Sequence, residues 1–271
     1  MAKGKSTAVA TWNEELAKQA VVAAGMEAGA GGGQFFSLKA GQLSFGGAPF
    51  PNNEMACVIL DGVMEHVFYE GKFVEGAPAS PKCFAFGRSL DEMAPHKVCL
   101  EAGSAESDAC AGCPRNEWGS ADVGKGKACR NTRRLALIPA GSFDNQGRLQ
   151  LIDDPEHYKA AELAYMRLPV TSVKGYAGFV NQLAAALKRP PHGVVTRIKC
   201  VPDTATQFKV TFMPIQALPD SVMGVVMERH KEASDAIMFP YAAYDATPTK
   251  APAGRAPARA QASVPGRGRK Y

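Results

Sequence analysis

The pattern of hydrophobic and polar residues along the chain predicts a mainly β protein with a few helices. Apolar residues recur at every second position in several short runs, as in strands with one buried face. Two of these runs follow Glu54 and are separated at Asp61–Gly62, and an earlier pair forms a hairpin with its turn near Ala40–Gly41. In chain order, the predicted strands lie in QFFSLKAGQLSFGG, MACVILDGV, MEHVFYEG, RRLALIPA, RLQLID, GVVTRIKCV and QFKVTFMPI.

Helical periodicity marks a second class of segment. In SVKGYAGFVNQLAAALK the apolar residues fall on one stripe, and Ser172 is placed to cap the helix. The segment PDSVMGVVMERHKEASDAI predicts a helix with Pro219 in its first turn. Near the start of the chain, Thr11 and Glu14 form a capping box that predicts a helix over 12–25.

The order of these elements limits the fold class to α+β arrangements. A helix set between the middle and last strands of a small antiparallel set predicts an OB-like five-stranded Greek-key barrel, and an α+β sandwich fits the same order. We expect a peripheral N-terminal helix and linker over 1–33, the OB-like domain over 34–244 with a C-terminal helix, and a disordered basic tail over 245–271. Within the domain, residues 81–130 lack regular periodicity and are expected to form a zinc-binding insertion.

Charge and hydropathy exclude some classes of protein. The chain has 271 residues but no apolar run of about 18 residues, so no membrane span is predicted. No signal-peptide pattern is found, so we expect an intracellular location in which thiols stay reduced. The formal net charge is +5, and residues 245–271 carry six Lys or Arg against one Asp, so the rest of the chain is neutral. Such a tail is typical of a polyanion-binding segment and equally of a solvated extension.

The seven cysteines are not distributed evenly. Cys57 and Cys200 lie alone in apolar runs and are expected in the core, whereas the others fall within residues 83–129. In that region Lys125 ends a G-x-x-x-x-G-K match to a phosphate-binding loop, but Gly126 stands where such a loop needs Ser or Thr to bind Mg²⁺. A metal knuckle is therefore the better interpretation of this stretch.

The chemistry of the cysteine region points to structural zinc. A C-x-x-C turn lets two thiolates reach one ion, and tetrahedral zinc needs two further ligands, for which we prefer cysteines that flank predicted strands. Cys99 and His96 are alternatives, and an iron–sulfur cluster or no metal is also compatible with the spacing. The predicted ligands are Cys83, Cys110, Cys113 and Cys129.

Basic and aromatic residues near the cysteines are candidates for binding single-stranded DNA. Five positive charges and no acid occur in residues 125–134, and such a run attracts phosphate regardless of sequence. The same residue types also fit a solvated loop or a packed core. The candidate DNA-binding residues are Trp118, Lys125, Lys127, Arg130, Arg133, Arg134, Lys174, Tyr176, Arg197, Lys199 and Lys209. Further candidate stacking aromatics are Phe35, Phe36, Tyr69, Phe73, Phe84 and Phe86.

Several motifs together resemble a group of bacteriophage single-stranded DNA-binding proteins with an OB-like fold. The resemblance covers about residues 34–240 and is carried by PKCFAFG, CAGCPRNEWGSADVGKGKACRNTRRLALI, LPVTSVKGYAGFVNQLA and GVVTRIKCVPDTATQFKVTF. It implies a non-enzymatic replication or recombination protein that coats phage DNA in the bacterial cytoplasm, alongside phage or host replication and recombination proteins. It also implies that Cys83, Cys110, Cys113 and Cys129 are the recurring cysteines. The chain departs from many such proteins in ending with GRGRKY instead of an acidic tail.

Two other functions fit parts of the sequence. A metal-dependent nuclease would use Asp153, Asp154, Glu156 and His157, but paired acids before a proline are also typical of a helix start. A zinc-containing regulator that binds host transcription machinery or RNA would account for the cysteines and the basic tail. Cleavage of DNA with Mg²⁺ or Mn²⁺, and capture of partners from nuclease-treated lysate, distinguish these functions from DNA coating.

Overall fold

The computed structural model of the protein describes Gln19 and residues 35–71, 80–144 and 146–241. The predicted basic tail, and the predicted N-terminal helix apart from Gln19, lie outside these residues. Within the described ranges, no helix has both the length and the apolar character needed to cross a membrane.

A small antiparallel sheet opens the described part of the chain. It consists of β1 (Ser37–Lys39), β2 (Gln42–Phe45) and β3 (Ala48–Pro49). Ala40 and Gly41 form the predicted turn between β1 and β2, with φ of 52° and 77°. This left-handed backbone suits glycine, so the hairpin predicted from the sequence is confirmed.

A second sheet of seven strands forms the centre of the protein. Its main path runs β10-β9-β4-β6-β7, with β5 paired to β4 and β8 paired to β6, and each of these pairs is antiparallel. The sheet curls into a half-barrel. Its strands are β4 (Glu54–Phe68), β5 (Cys83–Gly87), β6 (Arg130–Phe143), β7 (Leu149–Leu151), β8 (Ala164–Leu168), β9 (Val194–Asp203) and β10 (Gln207–Ala217).

The two strands predicted on either side of Asp61–Gly62 are one strand of 15 residues, β4. Its pairing with β6 shifts register between Ile59 and Asp61, so the break expected at the glycine is a β-bulge within a continuous strand. Such a bulge bends the strand, and residues 54–60 stay buried on both of its faces.

Helices cover both faces of the large sheet. They are α1 (Lys97–Glu101), α2 (Pro155–Ala160), α3 (Val170–Gln182) and α4 (Asp220–Ala236), and α3 continues as a π-helical turn over Leu183–Leu187. The helices predicted in the second half of the chain are thus confirmed. The prediction that Ser172 caps α3 is wrong, because the N-cap is Pro169 and Ser172 lies inside the first turn. The Ser172 hydroxyl instead accepts a 2.9 Å hydrogen bond from the Val210 backbone amide and ties α3 to β10.

The hydrophobic core consists of one cluster on each face of the large sheet. One cluster joins Leu60 and Ile138 of the sheet to Val222 and Val226 of α4. The other joins sheet residues to α3 and the β1–β2 hairpin, and it contains the expected core cysteines, Cys57 and Cys200. An α+β architecture is therefore confirmed, whereas the closed five-stranded barrel stays a prediction.

Candidate nucleic-acid interface and thiol cavity

The four cysteines predicted as zinc ligands line a single cavity of about 20 Å³. Cys83 is the first residue of β5, Cys129 directly precedes β6, and Cys110 and Cys113 lie in the long connection between these strands. Residues far apart in sequence thus meet because both strands flank β4. His66 of β4 lines the same cavity.

Backbone hydrogen bonds hold the cysteine-bearing turn in place. Gly112, with φ of 71°, gives the C-x-x-C turn the left-handed residue that it needs before its second cysteine. The Cys110 amide donates to the Met93 carbonyl at 3.0 Å, and the Cys129 amide donates to the Arg115 carbonyl at 2.7 Å. Both ends of the loop are therefore fastened beside the cavity.

Burial disfavours the charged form of these thiols. It raises the pKa of Cys129 to about 12 and that of Cys110 to about 11, and the neighbouring cysteines add to both shifts. Burial also raises the pKa of Cys83. The three thiols are therefore protonated at neutral pH unless a cation binds the sulfurs and favours the thiolates.

Sequence reasoning missed His66, which lies in an apolar run and resembles an ordinary strand residue. Burial lowers its pKa to about 4, and the nearby charges of Lys127 and Arg133 act in the same direction. Its Nδ1 atom is buried without a hydrogen-bond partner, as is the Oδ1 atom of Asn131, its partner across the strand pair. A buried imidazole without a partner in a thiol-lined cavity is a further potential donor to a metal ion.

The fit to zinc is one of donor chemistry and not of coordination geometry. Four thiols and an imidazole are donors that zinc prefers. Among the described residues, however, no His, Cys, Asp or Glu side chains form a group of three or more that could hold a metal ion as arranged. The structure thus brings the predicted ligands to one cavity without forming a coordination shell.

The two alternative ligands lie elsewhere. Cys99, expected in a polar loop, is buried on α1, and its Sγ accepts the Phe84 amide at 3.3 Å. His96 caps α1, because its Nδ1 accepts the Val98 amide at 3.3 Å. Neither residue lines the thiol cavity.

The loop between Cys113 and Cys129 presents an exposed tryptophan with basic residues. Trp118 is 78% exposed, and the Lys127 ammonium lies 5.6 Å from the centroid of its ring. Lys125 is fully in solvent at the tip. The loop is closed by backbone hydrogen bonds, including one of 2.9 Å from the Gly119 amide to the Gly126 carbonyl. We call Trp118, Lys125 and Lys127 the loop platform.

Two further candidate residues are exposed on other elements. Arg130 begins β6 and lies over the ring of Tyr69, with its guanidinium carbon 5.5 Å from the centroid. Lys174 is exposed on α3. Arg133 is half-buried, on the opposite side of β6 from Arg134.

Burial excludes two predicted residues from an exposed nucleic-acid surface. Arg134 is 1% exposed, and its Nε and Nη2 atoms donate to Glu65 Oε1 at 3.0 and 2.6 Å. Tyr176 is 8% exposed and packs edge-on against Phe212. The expectation that these side chains face DNA as part of an open groove is corrected, because α3 and the segment after α4 cover them.

The basic residues of the last two strands are paired with acids. Arg197 and Lys199 lie 3.7 and 3.3 Å from Glu54, and Lys209 lies 3.1 Å from Asp203. The carboxylates offset much of their charge, so this part of the sheet is a weaker site for phosphate than the sequence pattern predicts.

The other candidate aromatics are mostly packed. Phe36 packs with Phe45 and Phe50, and Phe84 stacks on His96. Phe35 and Phe86 pack around Arg134 with their ring centroids 5.6 and 4.1 Å from its guanidinium carbon, Tyr69 is half-buried, and Phe73 lies outside the described residues.

The acidic group considered for a nuclease has a structural role in part. Asp154 Oδ1 accepts the Glu156 amide at 3.0 Å and caps α2, as the helix-start interpretation predicts. His157 Nε2 lies 3.0 Å from the Pro139 carbonyl. Asp153 is exposed beside them.

Comparison with known proteins gives no relative from which a function can be transferred. No protein-family model, curated protein sequence or solved structure matches the chain. Any assignment of function therefore depends on the residues described above.

Proposed function

We propose that the protein binds single-stranded DNA without sequence preference, through a surface formed by the loop platform together with Arg130 and Lys174. The observation that carries the proposal is the exposure of Trp118 beside Lys127 on a loop that is closed by hydrogen bonds. A large aromatic side chain gains little from standing in water, so its exposure favours a role in recognition. A phage replication or recombination role and an OB-like barrel belong to the same proposal.

The chemistry of single strands matches this surface. Bases have flat faces that stack on indole rings, and phosphates attract lysine and arginine regardless of sequence. Lys125 and Arg130 have no acidic partner among the described residues, unlike Lys199 and Lys209. Their charge is therefore available to a phosphate backbone.

The proposal includes a structural zinc ion bound by Cys83, Cys110, Cys113 and Cys129. Its support is that the four thiols line one cavity, with the unpartnered Nδ1 of His66 beside them. Bound zinc would cross-link β5, β6 and the loop between them, and four protein ligands would leave no open catalytic position. The loop platform would then be held rigidly against the sheet.

The DNA proposal is tested by measuring oligo-dT binding by fluorescence polarisation over a range of salt concentrations. Trp118→Ala is expected to weaken binding by about 1–3 kcal/mol through loss of stacking. Lys125→Gln combined with Lys127→Gln is expected to lower the salt slope by about 1.4, or 0.7 for each single-strand phosphate contact. Lys159→Gln, which removes an exposed charge on α2, is the matched control. Equal effects in control and platform variants, or equal affinity for duplex DNA, would contradict the proposal.

The zinc proposal is tested separately by elemental analysis of the purified protein. We expect about one zinc per chain, lost on Cys110→Ser and retained on Cys200→Ala, because Cys200 lies in the core away from the cavity. Absence of zinc from protein purified without chelator, or its retention in the Cys110 variant, would remove the ion from the proposal.

A further inference from the structure

A second cavity lies where one edge of β4 is left without a strand partner. β9 pairs with Glu54–Cys57 and β5 pairs with Met64–Phe68, so residues 58–63 have no strand on that edge. A cleft of about 480 Å³ opens there, between residues of α3 and residues of α4. We call it the β4 cleft.

Most charged groups in the β4 cleft are already compensated. Arg88 donates to both carboxylate oxygens of Asp61, at 3.0 and 2.6 Å, and Ser234 donates to the same carboxylate at 2.9 Å. The rings of His192 and His230 stack with centroids 4.2 Å apart. Burial lowers the pKa of His192, and the neighbouring His230 adds to this, so His192 is neutral at neutral pH.

Arg133 is the exception among the charged residues that line the β4 cleft. Its guanidinium is half-buried and makes no hydrogen bond or ion pair within the described part of the chain. Burial lowers its pKa, which reflects the free-energy penalty of holding this charge away from water. A half-buried cation without a counter-charge is stabilised by an anionic ligand.

The remaining walls suit a ligand larger than a simple ion. Tyr176 and Asn181 of α3 supply polar groups, while Val180, Pro190 and Pro191 supply apolar surface. The volume of the cleft falls within the range of small-molecule sites and is enough for one nucleotide. A guanidinium presents a planar set of donors that matches the oxygens of a phosphate.

We propose that the β4 cleft binds the phosphate of one nucleotide, with Arg133 as its main ligand. The inference rests on the proposed function in taking that nucleotide as one unit of a bound single strand. The phosphate of a free mononucleotide has the same chemistry, and the experiment below distinguishes the two sources. Its site is separate from the loop platform, because neither Trp118 nor Lys125 lines the cleft.

The experiment measures binding of dTMP, thymidine and oligo-dT by calorimetry to the full-length protein and to two variants. Arg133→Gln removes the charge in the cleft, and Lys159→Gln removes a charge on α2 as the control. We expect dTMP to bind more tightly than thymidine, and Arg133→Gln to weaken dTMP binding about tenfold or more. The same variant is expected to lower the salt slope for oligo-dT by about 0.7.

Arg133→Lys is included because it keeps the charge but loses the planar donors, and intermediate affinity is expected. Thermal unfolding of each variant shows that lost binding is not lost folding. Equal binding of dTMP and thymidine, or unchanged binding in Arg133→Gln, overturns the cleft inference even if oligo-dT binds at the loop platform. Arg133-dependent dTMP binding without oligo-dT binding overturns the proposed function and leaves a mononucleotide site.

Discussion

Arg133 and Arg134 are neighbours on β6 and have opposite surroundings. Arg134 is buried within a closed cluster in which Glu65 accepts its hydrogen bonds and four aromatic rings surround its guanidinium. Arg133 lines the open β4 cleft and has no partner within the described ranges. Successive side chains of a strand point to opposite faces of the sheet, so one residue step separates a structural arginine from a candidate binding residue.

The closed cluster fastens the end of the described chain to the sheet. Arg134 Nη1 donates to the carbonyls of Ile237 and Phe239 at 3.1 and 2.8 Å, just after α4 ends. Glu65 also accepts from Arg167 and from the hydroxyl of Tyr241, at 2.9 and 2.8 Å. Every charge in the cluster is therefore paired, which is the condition for burying an ionic group without a large penalty.

The largest expected effect comes from breaking the closed cluster. Arg134→Met leaves the carboxylate of Glu65, which is 0% exposed, with fewer donors and leaves the two backbone carbonyls without their donor. We expect the free energy of unfolding to fall by about 3–5 kcal/mol, as for other buried ion pairs that lose one partner. Urea denaturation followed by circular dichroism measures this change.

The matched substitution on the other face should have almost no such effect. Arg133→Met removes a half-buried charge that has no partner, so the free energy of unfolding is expected to stay within about 0.5 kcal/mol of the original protein. If both methionine variants lose the same stability, the contrast between the two faces of β6 is wrong.

A smaller effect is expected from Tyr241→Phe. The tyrosine hydroxyl donates to Glu65 Oε1, while Arg134 and Arg167 remain in place to pair with the carboxylate. Loss of one hydrogen bond to a charged acceptor is expected to reduce the free energy of unfolding by about 1–2 kcal/mol. The same denaturation series tests it, and a loss as large as that of Arg134→Met would show that the hydroxyl, not the arginine, holds the cluster.

The smallest effect is expected at the Asp61–Arg88 pair of the β4 cleft. Although burial raises the pKa of Asp61, the hydrogen bonds from Arg88, Gly62 and Ser234 lower it below its ordinary value of 3.8. The pair therefore stabilises the fold above pH 3.8, and that contribution is lost as the pH falls through the lowered pKa. Arg88 is 46% exposed, so we expect less than about 1 kcal/mol.

Comparing the unfolding free energy of Asp61→Asn with that of the original protein, between pH 7 and pH 3, measures this contribution. The two curves should converge at the acid end. A difference that persists there would mean that the substitution acts through packing and not through charge.

Local patterns in the sequence predicted much of the fold. The strands at β6, β7, β9 and β10 and the helices α3 and α4 were recognisable because their apolar residues keep a period that matches the element. Ser172 and the Asp61–Gly62 break were misread because a capping residue and a bulge have the same composition as other turn residues. Only the pairing of distant strands distinguishes these cases.

The candidate sites depended even more on contacts between distant residues. The C-x-x-C turn identified the thiol region from the sequence, but the presence of His66 in the cavity follows from its place on β4, which no local spacing indicates. The run of five basic residues suggested one surface. The structure divides that run among the exposed loop platform, the β4 cleft and the closed cluster.

The sequence by itself determined the periodicity of the elements, the cysteine-bearing loop and the alternation that sends Arg133 and Arg134 to opposite faces. Only the tertiary structure decided which face carries an acid. Glu65 lies 69 residues away from Arg134 and comes beside it because β4 and β6 pair in one particular register. A buried charge is stable only beside its counter-charge, so the long-range pairing of strands makes one arginine structural and leaves the other available to a ligand.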